Sequence, residues 1–152
     1  MEIVELNKIP IANNVKFESE SLTWYKMDEI LCQMRDLCYK LEGLGLHAVQ
    51  VGLPYNLFVA KANGFRFDFF INCQYEGMGE KIDSIEGCLS IKNKLYLVKR
   101  YNKIVLRGYK YNNNELIAIE QEFEGFPAII LQHECDHGNN ILISDVGEFF
   151  EC

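Results

Sequence analysis

Between Phe126 and Ile143 the chain carries Gln132-His133-Glu134-Cys135-Asp136-His137, and this hexapeptide restricts the possible folds more than any other stretch. Two histidines four residues apart on a helix lie on one face, one turn above the other, so both imidazoles can reach the same metal ion. Glu134 lies about 100° round the helix from His133. That sets its carboxylate beside the metal's open position, as a general base for an attacking water. H-E-x-x-H is a hydrolase pattern. Pro127 suits the first turn of the helix, and Phe126, Ile129, Ile130, His133 and His137 recur on one face, so a buried helix is expected. Cys135 lies about 200° from either histidine and faces away, as a packed thiol.

The remaining segments must enclose this helix. With 152 residues, 49% of them apolar, the chain fits one compact domain over 1–152 with a single core. After an irregular arm, Ser21 is the expected N-cap of an amphipathic helix in which Met27, Ile30, Leu31, Met34, Leu37, Cys38 and Leu41 recur at helical spacing, ending at Gly43. Gly43-Leu44-Gly45 cannot continue that helix cheaply and lets the backbone pass close to a ligand or another segment. Lacking a preceding strand and a further Gly-x-x-Gly, it is not a dinucleotide fingerprint. Strands are expected at Leu57–Lys61, Phe67–Asn72, Ile82–Glu86, Leu95–Val98, Lys103–Tyr109 and Glu115–Glu124, with turns at Tyr101-Asn102 and Asn112-Asn113-Asn114. The middle therefore reads as an antiparallel β layer.

A net charge of -7 without a basic run argues against a nucleic-acid footprint. No apolar run approaches the roughly 18 residues of a membrane span, and the N-terminus has neither signal nor transit character, so the expected location is the cytoplasm. Six cysteines without disulfide-style spacing in such a chain read as reduced thiols, available to a metal.

A hydrolytic metal site normally takes three protein ligands and keeps one position open. Downstream of His137 only Asp145, Glu148 and Glu151 could serve, and there is no further histidine. Upstream, Glu86-Gly87-Cys88-Leu89-Ser90 closes a strand and offers a thiolate, with a glycine before it that allows close approach, so Cys88 is the best candidate. His47 is a rival ligand of lower rank.

Three separated segments together resemble the peptide deformylase family: Gly43 to Gln50 resembles G-φ-G-φ-A-A-x-Q, Glu86 to Ser90 matches E-G-C-L-S, and Gln132 to His137 matches Q-H-E-x-D-H. The resemblance covers roughly residues 20 to 143. It implies an α+β fold, with antiparallel sheets packed around a central metal-binding helix and an N-terminal amphipathic helix before them. It implies Cys88, His133 and His137 as metal ligands, Glu134 as general acid/base, and the Gln50 side chain and Leu89 backbone N–H as oxyanion donors. Leu44, Gly45, Phe126, Ile129 and Ile130 are expected to line the substrate pocket. The implied cofactor is one divalent ion, natively Fe(II), for which Zn(II), Ni(II) or Co(II) could substitute. The implied substrates are formyl-methionyl nascent peptides.

Some positions depart from the family pattern. His47 stands where alanine is usual, either lining the cleft or packed beside the loop. Gly138 and Asn140 replace the leucine and glycine that commonly follow the second histidine, so the helix should stop at once with Asn140 left-handed. The short acidic end from Asp145 to Cys152 is a poor substitute for the C-terminal extension through which relatives contact the ribosome. A metallopeptidase is the enzymatic alternative and would want a downstream third ligand. A structural metal domain would want a fourth ligand and have no need of Glu134.

Overall fold

A computed structural model of the chain describes residues 1–17 and 22–150. Helix α1, Trp24–Lys40, buries Met27, Ile30, Leu31, Met34 and Cys38 of the expected stripe; Leu37 is half-buried, and Leu41, past the helix end, is exposed. The expected cap, Ser21, lies outside the described residues; the Thr23 hydroxyl accepts the Lys26 N–H at 3.2 Å and caps the helix. The helix also stops before Gly43. Glu42 takes the left-handed conformation (φ 57°), and the Gly43 N–H bonds back to the Cys38 carbonyl at 2.9 Å. Position 43 is glycine for a different reason: a Cβ there would lie 2.9 Å from Leu89 Cδ1 and 3.0 Å from Cys38 Sγ. The chain leaving α1 is thereby pressed against the turn that follows Cys88.

Strands β1 (Gly45–His47), β2 (Leu57–Ala60), β3 (Asp68–Cys88), β4 (Ile91–Asn112) and β5 (Glu115–Glu124) pair antiparallel in that order, and β6 (Glu148–Phe150) joins the first half of β4. Two expectations are corrected here. The segments 67–72 and 82–86 are the ends of one strand, β3, and 95–98 and 103–109 both belong to β4. No turn forms at Tyr101-Asn102. Register shifts between Ile71 and Gln74, Met78 and Lys81, and Glu86 and Cys88 bend the long hairpin without interrupting it. Gly77 leaves room for the Tyr101 ring, which a Cβ would strike. The Gln132 side chain then satisfies the Tyr101 backbone, accepting its N–H at 2.9 Å and donating to its carbonyl at 2.7 Å. The β4–β5 turn falls where expected, with Asn113 and Asn114 both left-handed, as a tight hairpin requires.

Helix α2, Phe126–Gly138, has Pro127 in its first turn and ends with Asn140 left-handed at φ 61°. Its Ala128, Leu131 and Cys135 pack with Phe58, Phe70, Ile104 and Leu106 from the sheet, so Cys135 is the inert buried thiol expected. A second apolar cluster joins α1 to β1, β2 and β3. The opposite flank of α2, from Phe126 to Glu134, faces a cleft, and Phe126 at its rim is 60% exposed. A short helix α3, Ile143–Val146, leads into β6. Among the described residues no helix is long and apolar enough to cross a membrane.

Candidate active site

Three segments meet at the floor of the cleft: the cleft face of α2, the β3–β4 turn, and the 3₁₀ turn Ala48–Val51 that follows β1. The ligand atoms of Cys88, His133 and His137 lie within 4.8 Å of one another, the one such trio among the described residues. Cys88 Sγ is 3.6 Å from His137 Nε2. A sulfur and two nitrogens converging in a partly open site fit a divalent metal with one position left for water. The downstream carboxylates stand elsewhere: Asp145 accepts the Leu142 N–H at 2.8 Å, Glu148 is exposed on β6, and Glu151 lies outside the described residues.

His133 is held from behind. Its Nδ1 lies 2.9 Å from Glu86 Oε1, and Arg100 grips the same carboxylate with two hydrogen bonds, at 2.8 and 2.9 Å. The third arm of Arg100 reaches Asp136 at 2.6 Å, and Asp136 also accepts from the Tyr75 hydroxyl at 3.2 Å. Burial alone would raise the Glu86 carboxyl, but the hydrogen bonds from Arg100 and His133 outweigh it and hold the group down at about 2. Burial alone would lower the His133 pKa, but its hydrogen bonds to Cys88 and Glu86 outweigh that and raise it to about 10, so with Nδ1 held by an ionised Glu86 a metal at Nε2 would take the place of a proton. His137 stays neutral because burial lowers its pKa well below the usual value.

Glu134 is placed by the absence of a side chain at Gly45, where a Cβ would lie 2.5 Å from Glu134 Oε2. Its other oxygen, Oε1, is the only buried side-chain polar atom among the described residues without a hydrogen-bond partner. Such an orphaned acceptor costs about 1–3 kcal/mol or more. Burial pushes this carboxyl up to about 7. The unfolded chain titrates near 4.5, so the folded state binds the proton more tightly. The associated stability is fully present below about pH 4.5 and is lost as pH rises towards 7. In the metal-free protein, the stability of Glu134→Gln relative to the parent should climb by on the order of 3 kcal/mol across that window and level off above it. Parallel stability curves from urea unfolding at several pH values would count against this.

Gln50, 1% exposed, accepts the His47 N–H at 2.9 Å through Oε1, and its Nε2 donates to Ser90 Oγ at 2.9 Å. The same nitrogen lies 3.5 Å from Cys88 Sγ. Leu89 and Ser90 form the β3–β4 turn immediately after Cys88. Leu44, Gly45, Phe126, Ile129 and Ile130 all lie on the wall of the cleft, a cavity of about 1080 Å³. His47 does not line it. It is fully buried with both ring nitrogens engaged, Nδ1 by the Val49 N–H at 3.2 Å and Nε2 by Asn56 Oδ1 at 3.3 Å. Burial pushes it down to about 4 and keeps it neutral.

Sequence reasoning missed Arg100 and Ser90, which touch the site only through other side chains. No spacing links a lone arginine on a strand to a carboxylate on a distant helix. For Gly45 the Gly-x-Gly signal for close approach was present, but not the identity of the group approached.

The family model for polypeptide deformylase matches residues 2–148. The chain belongs to the polypeptide deformylase family. It is 36% identical over 128 residues to the peptide deformylase of Rhodopirellula baltica, an alignment covering 81% of this chain and 62% of that relative, so it spans about three fifths of the relative's length. The peptide deformylase of Thermotoga maritima superposes with a TM-score of 0.82 at 29% identity, over 95% of each chain. The deformylase of the Vibrio parahaemolyticus bacteriophage VP16T, solved in complex with actinonin, superposes at 0.80 with 27% identity, covering 93% of this chain and 99% of that one. The deformylase family is metal-dependent, in keeping with the Cys88, His133 and His137 cluster.

Proposed function

We propose that this deformylase-family chain removes the formyl group from the N-terminal formyl-methionine of newly made polypeptides in the cytoplasm, releasing formate. The observation that carries the reading is the unpartnered, buried carboxylate of Glu134 beside the converging Cys88, His133 and His137 on the floor of an apolar cleft. A divalent ion held by those three residues, natively Fe(II) with Zn(II), Ni(II) or Co(II) as substitutes, would polarise the formyl carbonyl and acidify the attacking water.

The side chains supply the rest. Glu134 takes the proton of the water as it attacks the formyl carbon and delivers it to the departing amine. Gln50 has its oxygen held by the His47 N–H and its Nε2 donating to Ser90 Oγ and, over 3.5 Å, to Cys88 Sγ; the hydrogen on the weaker sulfur side turns to the developing oxyanion. The Leu89 backbone N–H is the second donor. Glu86, fixed by Arg100, keeps His133 oriented throughout. Ile129, Ile130, Phe126 and Leu44 surround the methionine side chain and exclude water, and Gly45 lets the substrate backbone pass. Formylation removes the positive charge of the amine, so an acidic protein need not steer its substrate electrostatically.

The test is an anaerobic assay of the metal-reconstituted protein on a formyl-methionyl peptide. Release of formate together with a free amine is expected; cleavage of internal bonds in unformylated peptides without formate would instead favour a peptidase. Ile129→Asp should raise KM for formyl-methionyl peptides about tenfold or more with metal content unchanged, since a charge in an apolar pocket costs at least about 1.4 kcal/mol. Equal loss of metal and fold would make Ile129 a plain core residue.

A further inference from the structure

His47 and Gly138 meet behind the candidate active site. A Cβ at Gly138 would lie 2.8 Å from Asn56 Oδ1 and 3.2 Å from His47 Nε2, so the last turn of α2 comes this close only because position 138 has no side chain. His137 is the next residue along. Among the described residues it has no carboxylate partner equivalent to Glu86; the His47 ring stands near it, with centroids 6.3 Å apart.

The same histidine also holds the opposite wall. Its Nδ1 accepts the Val49 N–H and its own backbone N–H donates to Gln50 Oε1, so it closes both ends of the turn that carries the amide. With Nδ1 accepting, Nε2 carries the hydrogen and donates to Asn56. Asn56 is itself fixed: its side chain donates to Asn14 at 2.9 Å, its backbone N–H to the Asn13 carbonyl at 2.8 Å, and its carbonyl accepts from Asn72 at 2.8 Å. A fully buried polar ring with a hydrogen bond at each nitrogen and a glycine against its edge has one position available to it.

We infer that His47 is a positioning residue for the reaction centre: wedged between Gly138 and the Ala48–Val51 turn, its ring sets the spacing between the His137 end of α2 and the amide of Gln50. This rests on the deformylase reading above for its link to turnover, and on geometry alone for its effect on the metal ligands. Removing the ring leaves a void beside His137 and frees the Val49 N–H. Adding a side chain at Gly138 forces the ring and Asn56 apart. Doing both lets the new side chain occupy the vacated volume.

The test compares His47→Ala, Gly138→Leu and the double variant, measuring Co(II) half-saturation and visible spectrum, thermal midpoint without metal, and kcat and KM on a formyl-methionyl peptide. Each single substitution should weaken Co(II) binding roughly 10–100-fold, the range for residues that orient metal ligands. Each should shift the cobalt spectrum and lower kcat with KM changed less than about threefold. The double variant should bind Co(II) more tightly than the sum of the two single losses would give, because the two effects share one volume, with the unsatisfied Val49 N–H keeping it below the parent. Parent affinity and spectrum in His47→Ala, with only the thermal midpoint lowered, would make His47 a packing residue and overturn the inference. Additive losses in the double variant would overturn it equally. If His47→Ala does not fold, His47→Asn retains an acceptor for Val49 while leaving the notch at Gly138 empty, and is judged by the same criteria. If the parent binds Co(II) but releases no formate, the deformylase reading fails while the affinity comparison still decides the role of His47.

Discussion

Glu134→Gln is expected to keep its metal and lose turnover by roughly 10²–10⁴-fold, the share assigned to a positioned general acid/base. The substitution preserves size and helix propensity, and the candidate ligands His133 and Cys88 have supports that do not involve Glu134. His133 is held by Glu86, and Cys88 comes from the β3–β4 hairpin. Metal analysis and steady-state kinetics on a formyl-methionyl peptide check it together. A metal-loaded variant that works at the parent rate would remove Glu134 from the mechanism. The fold itself should not suffer, because Oε1 makes no hydrogen bond that the amide could lose. A stabilised but inactive variant is what an active site built at some cost to stability produces.

The largest effect on stability should come from Arg100→Leu. Its guanidinium is 3% exposed and is the shared cation for two buried carboxylates, Glu86 and Asp136. Leucine would leave two buried carboxylates without their shared cation, at a cost of about 3–5 kcal/mol, and would release the Glu86 carboxylate that orients His133. Arg100→Lys should fall between, since lysine keeps the charge but cannot make the forked contact. Urea unfolding and metal titration of the three proteins check this. A loss below about 1 kcal/mol for Arg100→Leu would show that the carboxylates are satisfied without it. Neutralising both carboxylates as Glu86→Gln and Asp136→Asn in the Arg100→Leu background should recover stability but not metal affinity, which separates the electrostatic role of the network from its orienting role.

The regular elements were legible wherever the determining interaction is local. Helical spacing alone put His133, Glu134 and His137 where one metal and one water could meet them, and put Cys135 on the opposite side, because 3.6 residues per turn fix those directions whatever surrounds the helix. The β5 strand and the hairpin at Asn113-Asn114 were equally readable, since left-handed asparagines mark tight turns. Tyr101-Asn102 looked like the same signal and was not. There the long strand is carried through by Gln132, and no local rule anticipates a helix side chain satisfying a strand's backbone.

What only the tertiary structure decided is what each special residue is special for. A glycine announces close approach or a left-handed turn without saying to what: Gly43 makes way for Leu89, Gly45 for the carboxylate of Glu134, and Gly138 for His47 and Asn56. The hydrogen-bonded chain from Tyr75 through Asp136, Arg100 and Glu86 to His133 joins two strands and a helix. Contacts between elements carry no periodicity along the chain, so the sequence by itself named the residues that can do chemistry, and the packing of α2 against the bent β3–β4 hairpin decided which of them meet.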